Sequence, residues 1–430
     1  MQKLTHNEYS NDEYNLHLIQ TKKFKTNTVA LKFARPLERD HITKRALLPF
    51  VLQKGTNEYP SEKELRLKLD ELYGAKFSIN SGKKGENHVI TFVLDFANEK
   101  FIPEASQLVH DCLSFLYEVA MNPKSNGQAF DEKIVTKEKE TLTNKIKSIV
   151  DEKMQYANMR LIDEMCEGEK YSIHAHGYLE DMDDINAENL YGTYQQMVNE
   201  DALDIFFVGD FDEGDVKPVI EDVFQFNRKP NVEVTKSEPK LPDKVETVSE
   251  KQKLQQAKLH LGYRTGITYG DPEYRSLQVF NGIFGSFPHS KLFLNVREKH
   301  SLAYYAASRI ESNKGLMLVF SGIAPEKYDQ AKEIIMKQHE DIKNGNITDD
   351  ELEQTKKAIT HQLKETIDRA GGIVEYFYQQ IVSGKTEDIE DTFKEIENKT
   401  KDDVIKVANQ VKLDTIYFLT AEDHGGEDNE

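Results

Sequence analysis

The feature that most constrains this chain is a repeat in the order of its elements. On either side of a polar stretch at 226–256, strand patterns are followed by a pair of helices, further strands, long helices and a last helix-then-strand pair. The two halves close on similar strands, ALDIFFVGDF at 202–211 and LDTIYFLTAED at 413–423. Recurrence over such a long period is the mark of a tandem duplication, in which each copy must bury its own apolar faces.

In the first half, residues 16–33 alternate as a strand pair, and helical periods run over 45–53 and 61–73. Ser61 with Glu64 forms a capping box, and Gly74 supplies the stop. A strand at 88–96, a helix from Ala105 to Ala120, a long helical run at 131–166 and a helix from Ala187 lead to the closing strand. The second half offers a strand at 258–263, helices at 274–284 and 290–299, and strands at 302–310 and 315–323. Helices then run over 326–343, from a second capping box at Thr348 and Glu351, and from Lys401. Short hairpin-like connections argue for mainly antiparallel sheets covered by helices, an α+β class with two homologous domains. The expected division is 1–225, an exposed linker at 226–256, and 257–430.

Bulk properties agree with this reading. A length of 430 residues suits two cores, and 38% hydrophobic with 30% charged residues is a globular balance. With 56 basic against 75 acidic residues the formal charge is −19, which disfavours nucleic acid and anionic membranes. The polar amino terminus has no apolar targeting core, and no run has membrane-spanning length, so a cytoplasmic location is expected. Cys112 and Cys166 each sit in an apolar helical pattern and read as reduced core thiols.

Known chemistry is conspicuous by its gaps. The chain has no Gly-rich phosphate loop, nucleophile elbow or Cys-x-x-Cys pair. A helical zinc site needs two histidines four residues apart, so that both imidazoles share one face. The close pair His174 and His176 cannot share a helical face, and from an extended segment it has no third ligand nearby; it reads as polar loop before Gly177. The acidic run EDMDD at 180–184 lacks the glycine and the final glutamate of a calcium loop, and reads as a solvated turn.

Three segments carry a resemblance to a known family. Gln53-Lys54-Gly55-Thr56 with the capped helix behind it, FDEKIVTKEKETL at 130–142, and GIFGSFPHSKLFLNVREKHSLAYYAAS at 282–308 resemble the insulinase/pitrilysin peptidases, inverted zincins that include processing peptidases. Together with the duplicated halves, the resemblance covers nearly the whole chain. It implies a processing-peptidase or LuxS-like metallohydrolase fold. Active relatives carry His-x-x-Glu-His ahead of Lys-Gly-Thr, with a later glutamate as third zinc ligand. Here the matching positions are Ala46, Pro49, Phe50 and, for the later ligand, Lys145. Ala46 and Phe50 have no donor atoms, Pro49 cannot act as a base, and an ammonium repels Zn²⁺. Pro49 is expected near a helix start or kink.

The resemblance also implies what survives. Arg297 and Tyr304 match an arginine and tyrosine that reach toward substrate in active relatives. They could grip a carbonyl and donate to an oxyanion. Otherwise, Arg297 makes a surface ion pair with Glu298 or Glu311 and Tyr304 faces the core; because Tyr304 and Tyr305 point to opposite faces, one can be core and the other presented. The glycine-bearing stretch from Gly282 and Gly285 to His289 matches a substrate-contacting loop, but it is short and reads as a helix–helix turn. A chain of this length resembles one half of a two-half chamber. The expectations are therefore no cofactor of its own, a zinc-bearing homologous partner subunit, a peptide substrate added to a sheet edge, and inactivity alone; without that partner, a homodimer. The competing expectation is a non-proteolytic scaffold of the same fold.

Overall fold

The structure, a computed structural model, describes residues 4–103, 107–238 and 240–422. It forms two compact units, and neither is one stretch of chain. The first comprises 1–147, 173–235 and 366–378; the second comprises 148–172, 236–365 and 379–430.

The first unit holds a six-stranded sheet of β1 (Thr5–Ser10), β2 (Asn15–Gln20), β3 (Thr26–Pro36), β4 (Lys76–Lys84), β5 (Asn87–Ala97) and β6 (Ala202–Gly209). Their spatial order is β1-β2-β6-β3-β5-β4. The second holds β7 (Glu246–Gln252), β8 (Ala257–Arg264), β9 (Ala303–Glu311), β10 (Leu316–Ile323) and β11 (Lys412–Ala421), in the order β7-β11-β8-β10-β9. With β1 set aside, the two sheets have the same topology. Each has one parallel pair, β2 with β6 and β7 with β11, and is otherwise antiparallel. Both sheets are covered by helices, so the α+β class and the duplicated architecture hold.

Several local expectations change. Residues 16–33 supply β2 and β3, but these do not pair, because β6 lies between them. A central strand buried on both faces needs a nearly continuous apolar run, and IFFV in β6 is one. The long run at 131–166 is two helices, Glu132–Asp151 and Lys153–Met165. The helix placed from Ala105 is seen at Leu108–Met121, with Ala105 itself outside the described residues, as is Asp423. Within the polar stretch at 226–256, Glu246–Gln252 forms β7, an edge strand whose largely exposed side chains hide its period. Ser61 Oγ accepts from the Glu64 amide, and Thr348 Oγ1 accepts from that of Glu351. At Thr348 the backbone amide also donates to the Glu351 carboxylate and completes the box, whereas at Ser61 it is the hydroxyl that donates to Glu64, so that helix start is capped by the serine side chain alone.

One face of each sheet carries the main core. In the first unit, Val29, Leu31, Phe33, Phe92, Ile205 and Phe207 pack against Leu47 and Leu48 of helix Arg39–Leu52 and Leu113 and Leu116 of Leu108–Met121. In the second, Leu259, Leu261, Met317 and Val319 pack against Leu277, Phe280, Phe284 and Ile335. Each such side chain is fully buried, worth about 1.5–3 kcal/mol. Cys112 and Cys166 are buried and neither forms a disulfide.

The opposite faces differ between the units. In the first, residues 366–378 bring Glu375, Phe377 and Tyr378 to a face carrying His17, Lys32, Asp204 and Phe206. In the second, helix Lys153–Met165 lays Ala157, Leu161 and Met165 on Leu316, Leu318, Tyr417 and Leu419. Gly262 makes room for that helix: a Cβ there would stand 2.6 Å from Met165 Sδ.

Candidate functional site

Helix Arg39–Leu52 carries the residues that match the zinc motif. Ala46 is 2% exposed, and Pro49 is buried in the last turn of the helix, not at its start. A proline there removes one backbone donor, and Gln53 Nε2 occupies the Pro49 carbonyl from the following turn at 2.6 Å. Phe50 is half-buried against the core. From helix Glu132–Asp151, exposed Lys145 comes to Phe50, its Nζ 5.3 Å from the ring centroid. The structure thus brings Phe50 and Lys145 together as an ammonium over an aromatic face.

His176 also lies near Lys145. Burial first, and then the Lys145 charge with His174 and Lys83, pushes its imidazole down to about 4. His174 stacks on Tyr178 with centroids 4.8 Å apart. Among the described residues, neither histidine joins a third side chain at metal-ligand spacing. Gly177 ends this loop at φ +77°, and a Cβ there would meet Thr43 at 2.5 Å. The acidic turn has a structural use: Glu180 and Asp181 take the Arg39 guanidinium at 2.9 and 2.7 Å, tying down the start of the Ala46 helix.

One buried network was not singled out from sequence. Asp201 sits between Arg45 at 2.7 Å and Arg35 at 3.3 Å, and Arg45 Nε donates to His88 Nδ1 at 3.3 Å. Burial, with Arg45 alongside, holds the His88 imidazole well below its ordinary range. These charges share the Ala46 helix through Arg45. Their sequence signal was faint, because single Arg, His and Asp residues in strands and helices look like surface residues until pairing shows them buried.

In the second unit, Arg297 lies on the wide-turn helix Phe293–Lys299. Its side chain is 44% exposed, 3.5 Å from half-exposed Glu298 and with its guanidinium 4.7 Å from the Phe293 ring centroid. Ser301, at φ +48°, turns the chain into β9. There Tyr304 is 73% exposed, whereas Tyr305 is half-buried, its hydroxyl pushed up to about 12 by burial. Strand alternation therefore presents Tyr304 and tucks in Tyr305. Strand β9 is an edge paired only with β10. The ion pair with Glu298 is present; a core position for Tyr304 is not. Cβ atoms at Gly282 and Gly285 would meet Thr355 and Ser308 at 2.4 and 2.5 Å, so these glycines serve close packing at the end of helix Tyr274–Asn281.

With this geometry in hand, similarity to known proteins is informative. Residues 184–359 match the family described as "Peptidase M16 inactive domain". Over 405 residues, 94% of this chain and 95% of the relative, the sequence is 46% identical to "Probable inactive metalloprotease YmfF" of Bacillus subtilis (strain 168). The chain belongs to the M16 peptidase family. It is an inactive-type M16 peptidase-like protein. A more distant relative, "Uncharacterized zinc protease YmxG" of B. subtilis (strain 168), is 24% identical over 67% of this chain and 68% of its own. The crystal structure of a conserved protein from Enterococcus faecalis V583 superposes with a TM-score of 0.91 at 33% identity, covering 98% of this chain and 100% of that one. No helix among the described residues is long and apolar enough to cross a membrane.

Proposed function

We propose that this M16 chain is a catalytically incomplete subunit that binds peptide and completes the chamber of a zinc-bearing homologous partner in the cytoplasm. It brings no catalytic cofactor; the catalytic zinc is the partner's. The observation that carries the reading is the exposure of Arg297 and Tyr304, 44% and 73%, in a protein whose Ala46 and Pro49 have become core. An exposed arginine and an exposed tyrosine are suited to gripping a peptide carbonyl and donating to the oxyanion formed at a partner's zinc.

Peptide is held as an added strand. Edge strand β4, KFSINSGKK, contacts helix Arg39–Leu52, pairs only with β5, and carries Lys76, Lys83 and Lys84. An open edge gives main-chain hydrogen bonds to an extended peptide whatever its sequence.

The test is co-expression with a zinc-motif homologue from the same genome and assay of unfolded-peptide hydrolysis. The pair is expected to cleave and this chain alone is not; Arg297→Ala and Tyr304→Phe each lower turnover by about 10²-fold or more, the scale of one lost oxyanion donor. Unchanged turnover in both variants overturns the reading and leaves a non-proteolytic scaffold.

A further inference from the structure

We infer that the first unit carries a divalent transition-metal site made by His6, Glu8 and His17 on the sheet face opposite Ala46 and Phe50. His6 and Glu8 are two residues apart on β1 and so share a face, and the register sets Glu8 directly across from His17 on β2. One ligand atom from each of the three lies within 4.8 Å of the others, the only such group of three or more His, Cys, Asp or Glu side chains among the described residues.

Spacing and orientation both suit an ion. His6 Nε2 stands 3.2 Å from His17 Nδ1. Two nitrogens bound to one tetrahedral ion at about 2.05 Å are about 3.3 Å apart, so the imidazoles are already at bite distance. The other nitrogen of His17, Nε2, is 3.2 Å from Oδ1 of buried Asp204. A carboxylate on that side accepts a hydrogen bond from the Nε2–H and leaves the Nδ1 lone pair facing His6, the arrangement that orients metal-binding histidines. Asn15 Nδ2 donates to the same Asp204 oxygen at 3.2 Å and steadies it. The rings are braced as well, His17 stacked on Phe206 at 4.5 Å and His6 against Phe377 at 4.3 Å.

Two imidazoles with one carboxylate select Zn²⁺, Co²⁺ or Ni²⁺ over Mg²⁺ or Ca²⁺, which favour all-oxygen shells. Glu8 is exposed, so the remaining coordination position faces solvent. The ion ties β1, the one strand with no counterpart in the second sheet, to β2. The site does not depend on a peptidase partner.

The experiment uses the full chain stripped of metal. Titration with Co²⁺ is followed by visible absorption, and with Zn²⁺ by Co²⁺ displacement and by Tm. One equivalent is expected to bind and to raise Tm. Glu8→Gln keeps the His6–His17–Asp204 hydrogen bonds but removes the carboxylate ligand; it and His6→Ala should each weaken binding at least about tenfold and reduce the Tm rise. A double His174→Ala, His176→Ala variant should bind as the parent does. Absence of saturable binding overturns the site, as does binding that survives both Glu8→Gln and His6→Ala or disappears only with His174 and His176.

Discussion

The two units share a topology and differ in how the second face of each sheet is covered. In the second unit, an apolar helix lies on an apolar face, Leu161 and Met165 on Leu316, Leu318 and Leu419. In the first, the corresponding face carries a buried lysine: Lys32 Nζ is 2.5 Å from Glu375, whose other oxygen takes Lys84 at 2.7 Å, and the Lys32 ammonium also lies 4.4 Å from the Tyr378 ring centroid. Duplication has preserved strand order, which hydrogen bonding dictates, while the chemistry on the strands has diverged. One clamp is held by the hydrophobic effect and the other by charge, so they should fail under different perturbations.

The largest effect is expected at Leu161→Ala. Truncating a fully buried leucine leaves a cavity and should lower the unfolding free energy of the second unit by about 2–5 kcal/mol, read by urea denaturation at any salt concentration. Glu375→Ala strands Lys32, 2% exposed, without its carboxylate and should cost the first unit about 1–3 kcal/mol. The pair Lys32→Met with Glu375→Leu should recover most of that loss, because apolar replacement of both partners removes the buried charge. Equal losses in the single and double variants would break the contrast.

Acid should separate the two faces. Burial, then Lys258, holds His260 on the second unit's outer face down to about 3. The unfolded imidazole takes a proton below about 6.5 and the folded one does not. Stability is therefore whole above 6.5 and falls as pH drops toward 3, by at most about 1.4 kcal/mol per pH unit. His260→Phe should flatten that slope. Glu375 behaves as a lowered carboxylate: although burial alone would raise it, Lys32 and Lys84 bring it to about 2. Its contribution is complete above about 4.5 and is lost only as pH falls from there toward 2. Loss of the Glu375 contribution already at pH 6 would refute this assignment. The smallest effect is expected away from both faces: Arg297→Ala and Tyr304→Phe, both at exposed side chains, should change the stability of the isolated chain by less than about 0.5 kcal/mol.

Much of this architecture was legible in the order of elements. The closing strands of the halves became β6 and β11, equivalent interior positions, and the capping residues Ser61 and Thr348 marked real helix starts. Strands β1, β4 and β7 were not foreseen, because each is an edge with exposed side chains, and an edge needs no apolar period. Exchange of 148–172 and 366–378 between the units was equally hidden, since amphipathic helices show an apolar face without naming the sheet it covers.

By itself the sequence determined the α+β class, the duplication, the family resemblance and the absence of a zinc motif, because these rest on local periodicity and on residue types that either can or cannot donate to a metal. Only the tertiary structure decided that β6 separates β2 from β3, that Phe50 meets Lys145, that Tyr304 faces solvent, and that His6, Glu8 and His17 converge. Register and burial create those neighbours, and residues far apart in a chain carry no local mark of the face they will share.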